Sequence, residues 1–154
     1  MTYGTTTTSL SNTLELGEKI GRLLRGGETI ELASDLGGGK TVLVKGIARG
    51  LDYAGEVTSP TFTISRVYRV RDGLELHHFD FYRLDRHDIV AAELAEVVGD
   101  PQIIVAVEWA GNAGDAMPKE RVRIDIEATN ENTRHIKVAA LEAKFNYIIE
   151  GLKR

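Results

Sequence analysis

Apolar residues recur along this chain with two periods, and the changes from one to the other mark out its elements. Leu14, Ile20, Leu23 and Leu24 follow helical spacing, with Ser11 or Asn12 able to cap the helix and Gly26-Gly27 to end it. Residues 29–33 (TIELA) read as a short strand that runs straight into the loop SDLGGGKT. After that loop Val42, Leu43, Ile47, Ala48 and Leu51 form the buried face of a second helix, with Gly50 near its end. Strand, glycine loop, helix is the opening unit of a doubly wound α/β domain.

Further along, residues 62–70 and 74–79 are rich in strand formers and are separated by Arg71-Asp72-Gly73, a hairpin signal. Residues 89–98 have helical spacing. The continuous apolar run at 103–107 (IIVAV) has the look of a strand buried on both faces. Residues 121–126 and 134–138 alternate polar and apolar across a polar turn at 129–133. Leu141, Phe145, Ile148 and Leu152 suggest a closing amphipathic helix. The four threonines at 5–8 suit either a frayed end or an edge strand. The pattern predicts one mixed sheet with flanking helices and shows no domain boundary.

Composition narrows the chemistry. A length of 154 residues suits one domain, here spanning 1–154. With no cysteine, a disulfide scaffold, a zinc–thiolate site, an iron–sulfur cluster and cysteine catalysis are all excluded. Nineteen basic against 23 acidic residues, a net charge of −4, argue against autonomous nucleic-acid binding through phosphate neutralisation. No apolar stretch is long enough for a membrane helix, and the opening MTYGTTTTSL lacks the layout of a signal peptide. A cytoplasmic protein is the expectation.

The informative segment is Ser34-Asp35-Leu36-Gly37-Gly38-Gly39-Lys40-Thr41. Glycines let the backbone curl so that successive N–H groups point at phosphate oxygens, and the following helix presents its N-terminal positive charge to the same anion. Lys40 stands where a lysine reaches the β- and γ-phosphates, and Thr41 where a hydroxyl ligates magnesium. A flexible glycine turn before a helix is the plainer alternative; the strand and helix on either side favour the phosphate loop. The usual pattern opens with glycine where this chain has Ser34, which would cost on the order of a kcal/mol if that position needs a positive φ.

Such a loop needs a carboxylate from a neighbouring strand tip. Glu108, after the buried run, and Asp80, after residues 74–79, are the candidates; a solvated acid or a helix cap is the alternative for each. The turn Thr58-Ser59-Pro60-Thr61-Phe62 either bonds its own backbone or senses the terminal phosphate through its hydroxyls. His77 and His78 are adjacent, so on a strand they face opposite ways and cannot share a metal; a structural or hydrogen-bonding role is expected of both. Trp109, the single tryptophan, either packs or lies near the nucleotide. Arg66, Arg69, Arg83 and Arg86 either solvate a face or meet an acidic partner or tRNA.

Taken together, Asn12-Thr13-Leu14-Glu15-Leu16-Gly17, DLGGGKT, TSPTF, HFDFYRL from His78 and Val107-Glu108-Trp109 resemble the bacterial TsaE (YjeE) family in order and spacing. The resemblance implies a P-loop NTPase-like, three-layer α/β domain with a mixed, mainly parallel sheet and an antiparallel hairpin. It implies an ATPase of tRNA threonylcarbamoyladenosine biosynthesis that binds ATP and Mg2+ and supports the TsaD–TsaB complex. tRNA would be met only through that complex, with no DNA and no membrane. Carried over by position, Gly37, Gly38, Gly39, Lys40, Thr41 and Val42 would hold the phosphates, with Thr41 and Glu108 on the metal. Lys40, Asp80 and Glu108 would form the catalytic centre, Thr13 would lie near the adenine, and Ser59, Thr61 and Trp109 would line the nucleotide-responsive surface. The family has glycine at position 34 and usually alanine at 38. A small-molecule kinase and a non-catalytic scaffold with an impaired loop are the competing readings. The guanine-reading Asn-Lys-x-Asp signature is absent, which disfavours a GTPase.

Overall fold

Burial on both faces selects the middle of the sheet. The apolar run becomes β5 (Ile103–Glu108), whose six residues are all buried, and TIELA becomes β2 (Thr29–Ala33) beside it. The computed structural model describes residues 1–35, 37–60, 63–82 and 87–154. Around these two strands it places β1 (Thr2–Thr7), β3 (Ser65–Arg69), β4 (Glu75–Asp80), β6 (Val122–Ala128) and β7 (Arg134–Ala140). The sheet of seven strands runs β1-β7-β6-β2-β5-β4-β3. β6, β2, β5 and β4 are parallel neighbours, while β7 is antiparallel to β6 and β1, and β3 to β4. β1, β6, β2, β5 and β4 therefore share one direction, the mixed and mainly parallel α/β sheet that the sequence predicts.

Alternation along each strand then makes three layers. Ile30, Leu32, Ile104, Ala106 and Ile124 face α1 (Leu10–Leu23), α2 (Lys40–Gly50) and α4 (Asn146–Leu152). Ile103, Val105, Val107 and Phe79 face α3 (His87–Val97) and the 3-10 segment Ala110–Ala116. No helix among the described residues is long and apolar enough to cross a membrane.

The hairpin signal is realised. Asp72 and Gly73, at φ +57 and +73, turn the chain from β3 into β4. Several boundaries differ from expectation. Ser9, not Ser11 or Asn12, caps α1, accepting the Asn12 N–H at 3.0 Å. Asn12 already sits in the first turn, so its side chain reaches back to the Thr8 hydroxyl instead. The strand expected from residue 62 begins at Ser65, because Thr63 and Ile64 both donate to the Pro60 carbonyl in a turn; Phe62 lies outside the described residues. The closing helix is shorter than its pattern, since Leu141 stays 41% exposed and a 3-10 turn at Ala143–Phe145 precedes α4. The threonine run resolves as an edge strand, β1 pairing with β7.

The core face of α1 is Thr13, Leu16, Gly17, Ile20 and Gly21; Leu14 and Leu23 are only half-buried. Glycines replace leucines there because α2 crosses at backbone distance. A Cβ on Gly17 would sit 2.8 Å from the Gly46 Cα, and one on Gly21 2.9 Å from the Gly50 Cα. The two helices lock together, and that holds the N-terminus of α2 at the tips of β2 and β5.

Candidate functional site

The site is built where β2 ends. Gly37 at φ +77 and Gly39 at φ +103 bend the chain so that α2 can start at Lys40. Gly39 is the N-cap and brings no capping side chain, so the first-turn N–H groups of an eleven-residue helix face outward with its positive dipole end. That is the arrangement an anion requires.

Gly37, Gly38, Gly39, Lys40, Thr41 and Val42 line a cavity of about 430 Å³ together with Ser59, Asp80, Tyr82, Glu108 and Trp109. The two carboxylates arrive there by register. Asp80 and Glu108 are the last residues of β4 and β5 and lie directly opposite each other across the parallel pair. Both are buried, at 5% and 3% exposure. Asp80 Oδ1 accepts the Tyr82 N–H at 3.0 Å, and Glu108 Oε2 lies 2.6 Å from His78 Nε2.

Lys40 is 6% exposed, its Nζ donating to the Ser34 carbonyl at 3.2 Å and lying 4.4 Å from the centre of the Trp109 ring. Tyr82 packs on the same ring at 5.0 Å. Trp109 holds φ +58, a conformation that costs a non-glycine residue about 1 kcal/mol, and its ring both packs at the edge of the apolar layer and meets the lysine. The cavity therefore joins a cation, the uncapped start of a helix, two carboxylates and the hydroxyls of Thr41 and Ser59. Among the described residues no cluster of three or more histidines and carboxylates could by itself hold a metal. Thr41 with one or two carboxylates suits instead a hard cation that keeps waters and shares the phosphates of its substrate.

Of the expected site residues, Thr61 lies outside the described residues, as do Arg83 and Arg86. Thr13 is set apart from the cavity; its buried hydroxyl pairs with that of Thr7 at 2.7 Å. A larger hollow of about 810 Å³ lies on the other face of the sheet, lined by Thr6, Asp125, Glu127, His135 and Lys137. It touches Ser34 and Asp35 but holds neither Lys40 nor the paired carboxylates. Size does not choose the site; converging chemistry does. Arg134 went unread in the sequence. Its Nε donates to the Gly38 carbonyl at 3.0 Å and its Nη1 to the carbonyls of Asn130, Glu131 and Thr133, tying the polar turn to the phosphate loop. Nothing along the chain signals a contact across 96 residues.

The family model for the threonylcarbamoyl adenosine biosynthesis protein TsaE matches residues 7–136. The chain belongs to the TsaE family. Curated TsaE proteins agree: that of Treponema pallidum is 38% identical over 135 residues, covering 85% of this chain and 96% of its own. That of Streptomyces coelicolor is 36% identical, covering 82% and 89%, and that of Bacillus subtilis 36%, covering 83% and 79%. The crystal structure of Bacillus subtilis YdiB superposes with a TM-score of 0.81 at 29% identity, covering all of this chain and 95% of that one. Ser34 and Gly38 fit one another in this loop. Ser34 does not have a positive φ, which among described non-glycine residues falls at Asp52, Ile64, Asp72 and Trp109. Its side chain fills the space beside Gly38, where an added Cβ would lie 2.3 Å from Ser34 Oγ and 2.8 Å from Ser34 Cβ. Gly38→Ala alone is thus expected to lower thermal stability, and Ser34→Gly added to it to restore most of the loss. A double-mutant cycle on unfolding free energies checks this, with a coupling of about 1 kcal/mol expected and strict additivity counting against it.

Proposed function

We propose that residues 1–154 form one P-loop ATPase domain that binds and hydrolyses Mg-ATP and supports the TsaD–TsaB complex in forming threonylcarbamoyladenosine on tRNA, in the cytoplasm. The observation that carries this reading is the meeting of Lys40, Thr41, Asp80 and Glu108 with the uncapped start of α2 in one cavity. tRNA is met through the complex, and neither DNA nor membrane takes part.

Each residue has a task that its position supports. The N–H groups of residues 37–41 close around the phosphate oxygens as they form. Lys40 leaves the Ser34 carbonyl and swings its ammonium to the β- and γ-phosphates, exchanging a neutral acceptor for a charged one. The Thr41 hydroxyl and Glu108 would hold magnesium, which when bound supplies Lewis-acid neutralisation of the charge on the phosphates. Asp80, braced by the Tyr82 N–H, orients the attacking water. Trp109 and Ser59 line the cavity, so Trp109 fluorescence is expected to report on nucleotide.

Arginine is absent from the described lining of this cavity. P-loop enzymes that take an arginine from a partner gain on the order of a thousandfold from it. Hydrolysis by the isolated chain is therefore expected to be slow and to rise at least about tenfold on adding the TsaD–TsaB pair. A phosphate-release assay with and without the pair checks this; equal rates contradict the partnership, and phosphate passing to a small acceptor in place of water would indicate a kinase.

A further inference from the structure

His78 is fully buried directly behind a carboxylate of the site. It lies on β4 two residues before Asp80, on the face that carries Asp80 and Glu108 toward α2, whereas His77 turns the other way and meets Glu75 at 3.2 Å. His78 Nε2 stands 2.6 Å from Glu108 Oε2. Its other nitrogen, Nδ1, is buried without a hydrogen-bond partner among the described residues.

Those two facts determine where the ring carries its proton. A nitrogen and a carboxylate oxygen at 2.6 Å need a hydrogen between them. A second hydrogen, on Nδ1, would be a buried donor with no acceptor, the more costly way to leave that atom. Nε2 is therefore the nitrogen that carries the proton of this contact, donating it to Glu108. We propose that His78 is a positioning residue that pins Glu108 Oε2 and so turns Oε1 toward the cavity shared with Lys40, Thr41 and Asp80. The inference rests on the reading of Glu108 as the carboxylate that faces the cation.

The choice of histidine follows from the electrostatics. Asp80 and Glu108, two buried carboxyl groups, sit at opposing register positions. An arginine or lysine behind Glu108 would hold its orientation but cancel the negative charge that a cation needs. An imidazole that donates from Nε2 supplies the hydrogen bond without the permanent positive charge of an arginine or a lysine. Partners of this kind behind a metal-facing carboxylate change metal affinity by about ten- to a hundredfold when removed.

The test has two readouts. Long-range proton–nitrogen NMR of histidine-labelled wild type, without nucleotide or metal, should show His78 with a protonated Nε2; a bare Nε2 overturns the proposal. Mn2+ binding, followed by electron paramagnetic resonance with a non-hydrolysable ATP analogue, should weaken about tenfold or more in His78→Leu. His78→Gln, whose amide reaches the position of Nε2, should stay within about threefold of wild type. Equal loss in the leucine and glutamine variants, or no loss in either while Glu108→Gln weakens Mn2+, overturns the positioning role. An unchanged Mn2+ affinity in Glu108→Gln would instead overturn the reading of the site, and with it the task given to His78. The wild-type spectrum decides the tautomer even where the leucine variant does not fold.

Discussion

Lys40→Ala is expected to lower ATP hydrolysis by at least about a hundredfold while leaving the fold in place. In the structure the ammonium makes one hydrogen bond, to the Ser34 carbonyl, and lies over the Trp109 ring. Neither contact joins two elements that the sheet does not already join, so thermal unfolding should shift little. The loss falls on the bound state. Removing one donor aimed at developing charge in a water-poor site costs roughly a hundred- to a thousandfold in rate, and a full positive charge belongs at the upper end. Lys40→Arg should not restore the activity, because the guanidinium presents its charge as a planar fork rather than a point. Steady-state hydrolysis beside thermal melts separates this from simple unfolding. Retained turnover in the alanine variant would move the site elsewhere.

The largest stability effect is expected far from the cavity. Gly21→Ala would place a methyl 2.2 Å from the Ile47 carbonyl oxygen and 2.9 Å from the Gly50 Cα. Both obstacles are backbone, so no rotamer relieves them and α1 must move away from α2. On helix propensity alone the exchange should stabilise by roughly 1 kcal/mol; overpacking reverses the sign and costs about 3 kcal/mol. For a chain of this size that is a fall in Tm of roughly 6–12 °C. Gly4→Ala, where nothing lies within 4 Å, serves as the control and should move little. Calorimetry on the two variants gives the answer; a Gly21→Ala protein as stable as wild type would refute the close crossing. Because α2 begins at Lys40, a displaced α1–α2 pair should also weaken nucleotide binding, whereas the control should not.

The parts that were legible along the chain are those whose cause is local. The glycine loop and the helix after it could be read because positive φ at Gly37 and Gly39 demands glycine, and because Lys40 and Thr41 open the helix. The hairpin could be read because Asp72 and Gly73 both take left-handed conformations. Glu108 could be placed because a fully apolar run has to be a central strand, and the residue ending it must emerge at the tip.

What stayed hidden depends on register and crossing. The adjacency of His77 and His78 says that they face opposite ways, but the partner of His78 follows only once β4 is set beside β5. Gly17, Gly21, Gly46 and Gly50 have a meaning only when two helices touch, and apolar spacing pointed instead to Leu14 and Leu23. The pairing of β1 with β7 joins the two ends of the chain, which alternation cannot foresee. Arg134 belongs with these, as its contact with Gly38 is wholly tertiary.

The central claim is that backbone N–H groups of residues 37–41 and the Lys40 ammonium enclose the terminal phosphates of ATP. A crystal structure of the protein grown with magnesium and a non-hydrolysable ATP analogue tests it most directly. The account predicts β- and γ-phosphate oxygens within hydrogen-bond distance of those N–H groups, with Lys40 drawn off the Ser34 carbonyl onto them. An analogue bound elsewhere, with Lys40 still against Ser34 and Trp109, would contradict it.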